Sequence, residues 1–296
     1  MPTLTDIINK ISYRRLATIL LLVTCIPIIF PMGLPIPVSS QTTDFKKAVD
    51  ALPPGSVVAF GFQMSNIGQI PQYGPGYQVI TKYLASRKLK VVYVCVSDVS
   101  PLTVEDVIKS SGVEATYGWK SGEDYVITPY IAGEETALAS FASDVQGTVA
   151  TDYYGTPVSQ IPLMKNLRTL ADFKLAIASY GTFTFADMFA RQWAGKYPSV
   201  PWVVFGMLGT VAAYYPSLAR GVLDLDRGGA EFEVLTRLPG VYSSRMDARN
   251  LYGFTLVILL LAGNVAYYKA VGMRKRVGAG FERAFFGEEK KEGEKQ

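Results

Sequence analysis

The chain has 296 residues, 49% apolar and 18% charged, with a net charge of +4. That is enough apolar material for one large domain or two small ones. It contains no histidine, which excludes serine–histidine triads, haem–histidine ligation and most catalytic zinc sites, and removes the commonest general base near neutral pH. No basic stripe interleaved with aromatics crosses the middle of the chain, so no nucleic-acid partner is expected.

Residues 1–15 include "LTDIINKISYRR", in which Leu4, Ile7, Ile8 and Ile11 recur at helical spacing. This predicts a short amphipathic helix on the inner membrane interface. Residues 16–38, "LATILLLVTCIPIIFPMGLPIPV", carry no charge and follow Lys10, Arg14 and Arg15. About 20 apolar residues suffice to cross a bilayer, so this run is predicted as a first transmembrane helix. Pro27, Pro31, Pro35 and Pro37 crowd its second half, which predicts helix to about Pro31 and extended chain beyond. The rival reading is a cleaved signal peptide, because Val38-Ser39-Ser40 offers the small residues a signal peptidase needs.

Residues 39–249 have the pattern of a single domain. Continuous β-branched runs occur at 56–62, 90–96, 124–131, 173–179 and 201–207, as in strands buried on both faces of a parallel sheet. Helix-like stretches at 76–88, 102–111, 134–145 and 184–196 lie between them. The alternation predicts an α/β fold, a Rossmann-like doubly wound and mostly parallel sheet. The connection from Gly147 to Pro162 has no assignment.

In such sheets ligands sit beyond the carboxyl ends of the strands. The loop 63–76 has no dinucleotide or Walker pattern, whereas "SYGTFT" and "GMLGT" bring Ser179, Gly181, Thr182, Gly206, Gly209 and Thr210 to strand ends. Their hydroxyls and amides make a candidate ligand-binding set. Ordinary turns and helix caps explain the same residues without a ligand, and Thr184 with Asp187 resembles a capping box. Cys25 and Cys95 fall in an apolar run and in a buried strand, which suits two small buried hydrophobes better than a disulfide or thiolate site. Glu134 and Glu135 open a predicted helix, where the helix dipole favours acids. Glu231 and Glu233 are separated by one residue, so they do not form a catalytic pair. No catalytic residue, metal or cofactor is expected. Eighteen tyrosines and fifteen phenylalanines, with pairs at Tyr153-Tyr154 and Tyr214-Tyr215, suit either core packing or a protein interface.

Residues 250–273 contain the second apolar run, Leu251 to Tyr268, apolar around its whole circumference, which predicts a second transmembrane helix. Tyr267 and Tyr268 stand where an interfacial aromatic belt lies, and Lys269, Arg274, Lys275 and Arg276 follow. Asn264 either reaches the headgroups or makes an interhelical hydrogen bond. Residues 274–296 form a charged tail in which Phe281 and Phe285 stand one turn apart. Basic residues outside both runs, Arg14 and Arg15 among them, place both termini in the cytoplasm and the domain outside the plasma membrane.

The segments "GPGYQVITKYLASRKLKVVYV", "GTPVSQIPLMKNLRTLADFKLAIA" and "RMDARNLYGFTLVILLLAGNVAYY" are together similar to a group of uncharacterised prokaryotic membrane proteins. Those proteins have an N-terminal span, an outer α/β domain and a C-terminal span. The resemblance implies that architecture over most of the chain and carries no activity with it. The function expected is a membrane-anchored structural or interaction protein, contacting lipid and either self-assembling or serving as an accessory subunit. The alternatives are a receptor-like small-ligand domain and a histidine-independent enzyme.

Overall fold

The computed structural model describes residues 12–64, 66–238 and 240–286. The predicted amphipathic helix of residues 1–11 and the end of the tail, 287–296, lie outside the described residues. The chain divides into two units, one spanning Gly33–Met246 and the other formed from Met1–Met32 and Asp247–Gln296.

In chain order the main elements are α1 (Tyr13–Ile29), α2 (Ser40–Asp50), β1 (Val57–Phe62), α3 (Ile70–Ser86), β2 (Lys90–Cys95), α4 (Ser100–Ser111) and β3 (Tyr125–Ile127). Then follow α5 (Glu135–Ser143), β4 (Leu175–Ser179), α6 (Phe183–Phe189), β5 (Trp202–Gly206), β6 (Ala219–Asp224), α7 (Leu225–Thr236) and α8 (Tyr242–Phe286). The six strands form one all-parallel sheet in the order β3-β2-β1-β4-β5-β6. This order is consistent with a Rossmann-like fold.

Side chains alternate across the sheet and feed two separate cores. Val58, Phe60, Phe62, Tyr93, Ile177 and Phe205 pack with α2, α3, α4 and α7 on one face. Ala59, Val92, Ala176, Ala178, Trp202 and Val204 pack with α5 and α6 on the other. The second face carries small residues on its central strands, and there the backbone of Gly61 lies against Phe189 and Trp193, with an added Cβ only 2.4 Å from Phe189 Cε1.

Four of the predicted strands match closely, and two features differ. The run 124–131 supplies only three ladder residues, because Thr128 Oγ1 takes the Cys95 amide (2.9 Å) that would otherwise continue the sheet, and Pro129 has no N–H. The missed strand is β6, an edge strand whose Arg220 is exposed and breaks the apolar run. Residues 145–172 form short helical turns, with a bridge between Thr151 and Pro157, over the second core.

In the other unit the run 16–38 is helical in its first part and leaves the helix before Pro31, as expected from its prolines. The helix begins at Tyr13 and ends at Ile29, seventeen residues long, and the chain is extended from Pro31. Among the described residues one helical stretch, Tyr242–Tyr268, is long and apolar enough to cross a membrane. It is part of α8, which starts before the predicted 250 and continues as helix to Phe286, so residues 274–286 are helical. Met32 donates its amide to Asp247 Oδ2 (2.8 Å) inside this unit.

Close backbone approach sets the edge of the sheet. A Cβ on Gly221 would lie 2.2 Å from Phe45 N and 2.3 Å from Phe45 Cα, so β6 and α2 touch backbone to backbone. Gly221→Ala is expected to lower stability by about 1–3 kcal/mol in thermal or chemical denaturation. Gly209→Ala, which meets nothing within 4 Å, serves as the control with an unchanged melt.

Candidate functional site

The strand order reverses direction between β1 and β4, and a crevice opens beyond their carboxyl ends at such a point. Here the loop after β1 crosses it. Gln63 donates its backbone amide to Ser179 O (3.0 Å), and its Oε1 accepts from Gly181 N (2.8 Å). Gln69 Nε2 donates to Gly181 O (3.0 Å). Gly181 is therefore held through both backbone polar groups, and a Cβ there would lie 2.2 Å from Gln69 Oε1.

The open volume lies to the β2 side of this crossing. A cleft of about 370 Å³ is lined by Gln63 and Met64 after β1, Val96, Ser97 and Asp98 after β2, and Tyr130 and Glu134 after β3. Thr182, Thr184, Phe185 and Met188 close it from the β4 side. Its floor is apolar and its walls carry carboxylates, hydroxyls and one amide. Ser97 Oγ accepts from Met64 N (3.1 Å) and bonds Ser100 Oγ, while Ser100 Oγ donates to Phe62 O (3.0 Å). These bonds fix the end of β2 against the end of β1. Asp98 Oδ1 accepts from Val99 N (2.9 Å). Glu134 has φ +48°, a left-handed conformation that costs a residue with a side chain about 1–3 kcal/mol and clusters at binding sites.

Of the six sequence-predicted ligand residues, one lines this cleft, namely Thr182. Ser179 is buried in the opposite core, its Oγ 2.7 Å from Tyr77 OH. Gly206 ends β5, Gly209 and Thr210 follow it, and none of the three lines the cleft, with Tyr180 packed against Gly206 and Thr210. Thr210 Oγ1 donates to Met207 O (2.7 Å), so Tyr180 OH donates to Thr210 Oγ1 (2.7 Å). A Cβ on Gly206 would lie 3.0 Å from the Tyr180 ring, and burial pushes the Tyr180 phenol well above its ordinary range. Gln63, Ser97, Asp98, Tyr130 and Thr184 were missed because they sit on four different connections and share no local motif. Glu134 had an adequate explanation as a helix opener.

Of the candidate membrane anchors, Tyr267 and Tyr268 are exposed, with their rings 5.9 Å apart at 70°. Arg14 and Arg15 are exposed at the start of α1, where Ser12 Oγ caps the Arg15 amide. Arg274, Lys275 and Arg276 lie on α8, and their side chains are outside the described residues. Asn264 Nδ2 donates to Leu260 O of its own helix (2.9 Å), so within one chain this amide satisfies a turn rather than joining two helices. Burial raises the pKa of Cys95 well above the ordinary thiol range, which leaves it an unreactive core residue. Among the described residues no group of three His, Cys, Asp or Glu side chains could hold a metal ion.

A second polar arrangement governs how the chain enters and leaves the sheet unit. Glu231 and Glu233 on α7 are 1% and 4% exposed. Glu231 Oε2 accepts from Ser39 N (3.0 Å), Ser39 Oγ (2.5 Å) and Thr42 Oγ1 (2.6 Å), and its Oε1 accepts from Arg227 Nε (2.9 Å). Glu233 accepts from the Tyr242 amide (2.9 Å) and from the Ser243 amide and hydroxyl (2.8 and 2.6 Å). Each carboxylate therefore caps the first turn of a helix that lies elsewhere in sequence, α2 for Glu231 and α8 for Glu233, where the helix dipole favours an anion. They are not an acid–base pair; they are two separate clasps.

No protein-family model, curated protein or solved structure matches the chain.

Burial raises the Glu231 pKa, but the hydrogen bonds from Ser39, Thr42 and Arg227 outweigh it and hold the carboxyl below its ordinary value of 4.5. The unfolded chain thus binds this proton more readily than the native one. The stability contributed is complete above about pH 4.5 and is lost as pH falls through the lower native value. Glu231→Gln is expected to cost roughly 1–3 kcal/mol at pH 7 and to flatten the acid limb of the stability profile in chemical denaturation. An unaltered acid limb would remove Glu231 from this role.

Proposed function

We propose that the protein is a membrane-anchored interaction module, its α/β domain held outside the plasma membrane for assembly with copies of itself or with a larger membrane complex. Anchoring is supported by the apolar stretch of α8 and by the outward-facing apolar side chains of α1, among them Leu21, Leu22, Ile28 and Ile29. Arg14 and Arg15 before the first apolar run, and Arg274, Lys275 and Arg276 after the second, support two spans with both termini cytoplasmic. The strand order and the helices on both faces support a doubly wound, Rossmann-like domain between them.

The observation that carries the interaction reading is the position of four exposed apolar side chains. Ile67, Leu102, Tyr130 and Phe183 stand on the segments that follow β1, β2, β3 and β4, and Ile67 and Phe183 are 67% and 66% exposed. Single exposed apolar residues are ordinary, but four around one edge of a sheet mark a surface that a partner covers. Tethering to the bilayer raises the effective concentration of such a surface for neighbours in the same membrane.

The chain extracted in mild detergent from its own membrane is expected to give a defined oligomer, or a recurrent second chain, by native mass spectrometry. Ile67→Ser with Phe183→Ser is expected to dissociate that complex while leaving the fold, checked by circular dichroism, intact. A strictly monomeric wild-type chain would overturn the reading.

A second reading, small-ligand recognition, is favoured by the cleft at the point where the strand order reverses. A lone chain that retains an additional small mass would direct attention there.

A further inference from the structure

Three places in the fold carry chemistry that assembly does not use: the cleft beyond β1 to β4, the Glu231 clasp, and the surface group of Lys46, Asp50, Tyr83 and Arg87. The clasp is satisfied by its own helix caps. In the surface group the Asp50 carboxylate accepts from Lys46 and Tyr83 and pairs with Arg87, so its charges are matched within the group. The cleft differs, because its polar groups outnumber their partners.

Gln63 is the informative residue. It is 4% exposed, and the Gly181 N–H fixes the orientation of its amide by requiring the oxygen on that side. The amide nitrogen is then a donor beside the cleft with no acceptor among the described residues. The rest of the side chain is buried and held, so this N–H faces the cleft in a fixed orientation, and an oxygen atom of a bound molecule is its natural acceptor. Across the cleft stand the carboxylates of Asp98 and Glu134, and no Lys or Arg lines the space. Two uncompensated carboxylates favour a cation and disfavour phosphate or any other anion. Among the described residues no third His, Cys, Asp or Glu side chain joins them, and an organic ammonium needs only such a pair of carboxylates and neighbouring hydrogen-bond acceptors. Tyr130 offers an aromatic face and Thr182 and Thr184 add hydroxyls, and the volume of about 370 Å³ lies at the lower end for small-molecule sites.

We infer that this cleft binds a small organic amine that also carries hydroxyl or carbonyl oxygens, its ammonium between Asp98 and Glu134 and an oxygen on Gln63 Nε2. The inference rests on the ligand-binding reading of the cleft and adds the chemical class.

The test uses the full chain in detergent and four probes: glucosamine, glucose as the neutral counterpart, cyclohexylamine as the amine without oxygens, and inorganic phosphate. Calorimetric titration is expected to show saturable glucosamine binding, about tenfold or more tighter than glucose or cyclohexylamine. It is also expected to weaken as salt is raised. Asp98→Asn and Glu134→Gln, both at exposed positions, are each expected to weaken it about tenfold while the thermal melt of the free protein is unchanged. Equal or tighter binding of glucose or phosphate would overturn the amine class and leave the cleft a ligand site. Absence of binding by all four probes, or glucosamine binding undiminished in both variants, would overturn the site itself.

Discussion

Two buried carboxylates on one helix tie both ends of the Gly33–Met246 unit to the same element. Burying an ionised glutamate is costly unless donors surround it, and α7 solves this twice, with donors from far away in sequence for Glu231 and from the start of the next helix for Glu233. Glu231 takes the first turn of α2, and Glu233 takes the first turn of α8. The chain thus enters and leaves the sheet unit at fixed points on the same element. Close packing depends on these clasps as well. Tyr242, at the first turn of α8, lies against the backbone of Gly229, where a Cβ would meet the ring at 2.2 Å. Its hydroxyl reaches Gln72 O (2.5 Å) on α3. One carboxylate therefore places a residue that joins α7, α3 and α8.

The second determinant is topological. A parallel sheet whose strand order turns back at its middle leaves its carboxyl end open there. In this chain Gln63 and Gln69 occupy the turning point by hydrogen-bonding both sides of Gly181, and Tyr180 fills the space toward β5. What stays open is displaced toward β2 and β3, where Gln63, Asp98 and Glu134 line the same cleft. The polar cleft and the apolar residues Ile67, Leu102, Tyr130 and Phe183 belong to the same set of loops, so recognition of a small molecule and of a protein partner would compete for the same edge.

The strand cores were legible because two-sided burial writes an unbroken β-branched run, and "SVVAFGF", "KVVYVCV" and "PWVVFGM" are such runs. β6 was not, since an edge strand tolerates Arg220 and loses the signature. The end of β3 was over-extended because Thr128 has strand propensity, although its hydroxyl diverts the ladder and Pro129 follows it without an N–H. At the site, Thr182 was found from its turn chemistry. Ser179 was misplaced because alternation along β4 directs its side chain to the core containing Tyr77. Glu231 and Glu233 turn to different partners from opposite sides of α7. Their partners, some 190 and 10 residues away, left no local trace.

The sequence by itself determined the composition of the core, the parallel α/β class and the apolar C-terminal helix. Each of these follows from periodicity and burial, which are written residue by residue. It also determined that any chemistry must proceed without histidine. The tertiary structure alone decided the strand order, the location of the open cleft and the capping of α2 and α8 by α7. These depend on contacts between residues distant in the chain, and the hydrogen bonds that make them carry no periodicity that a linear reading detects.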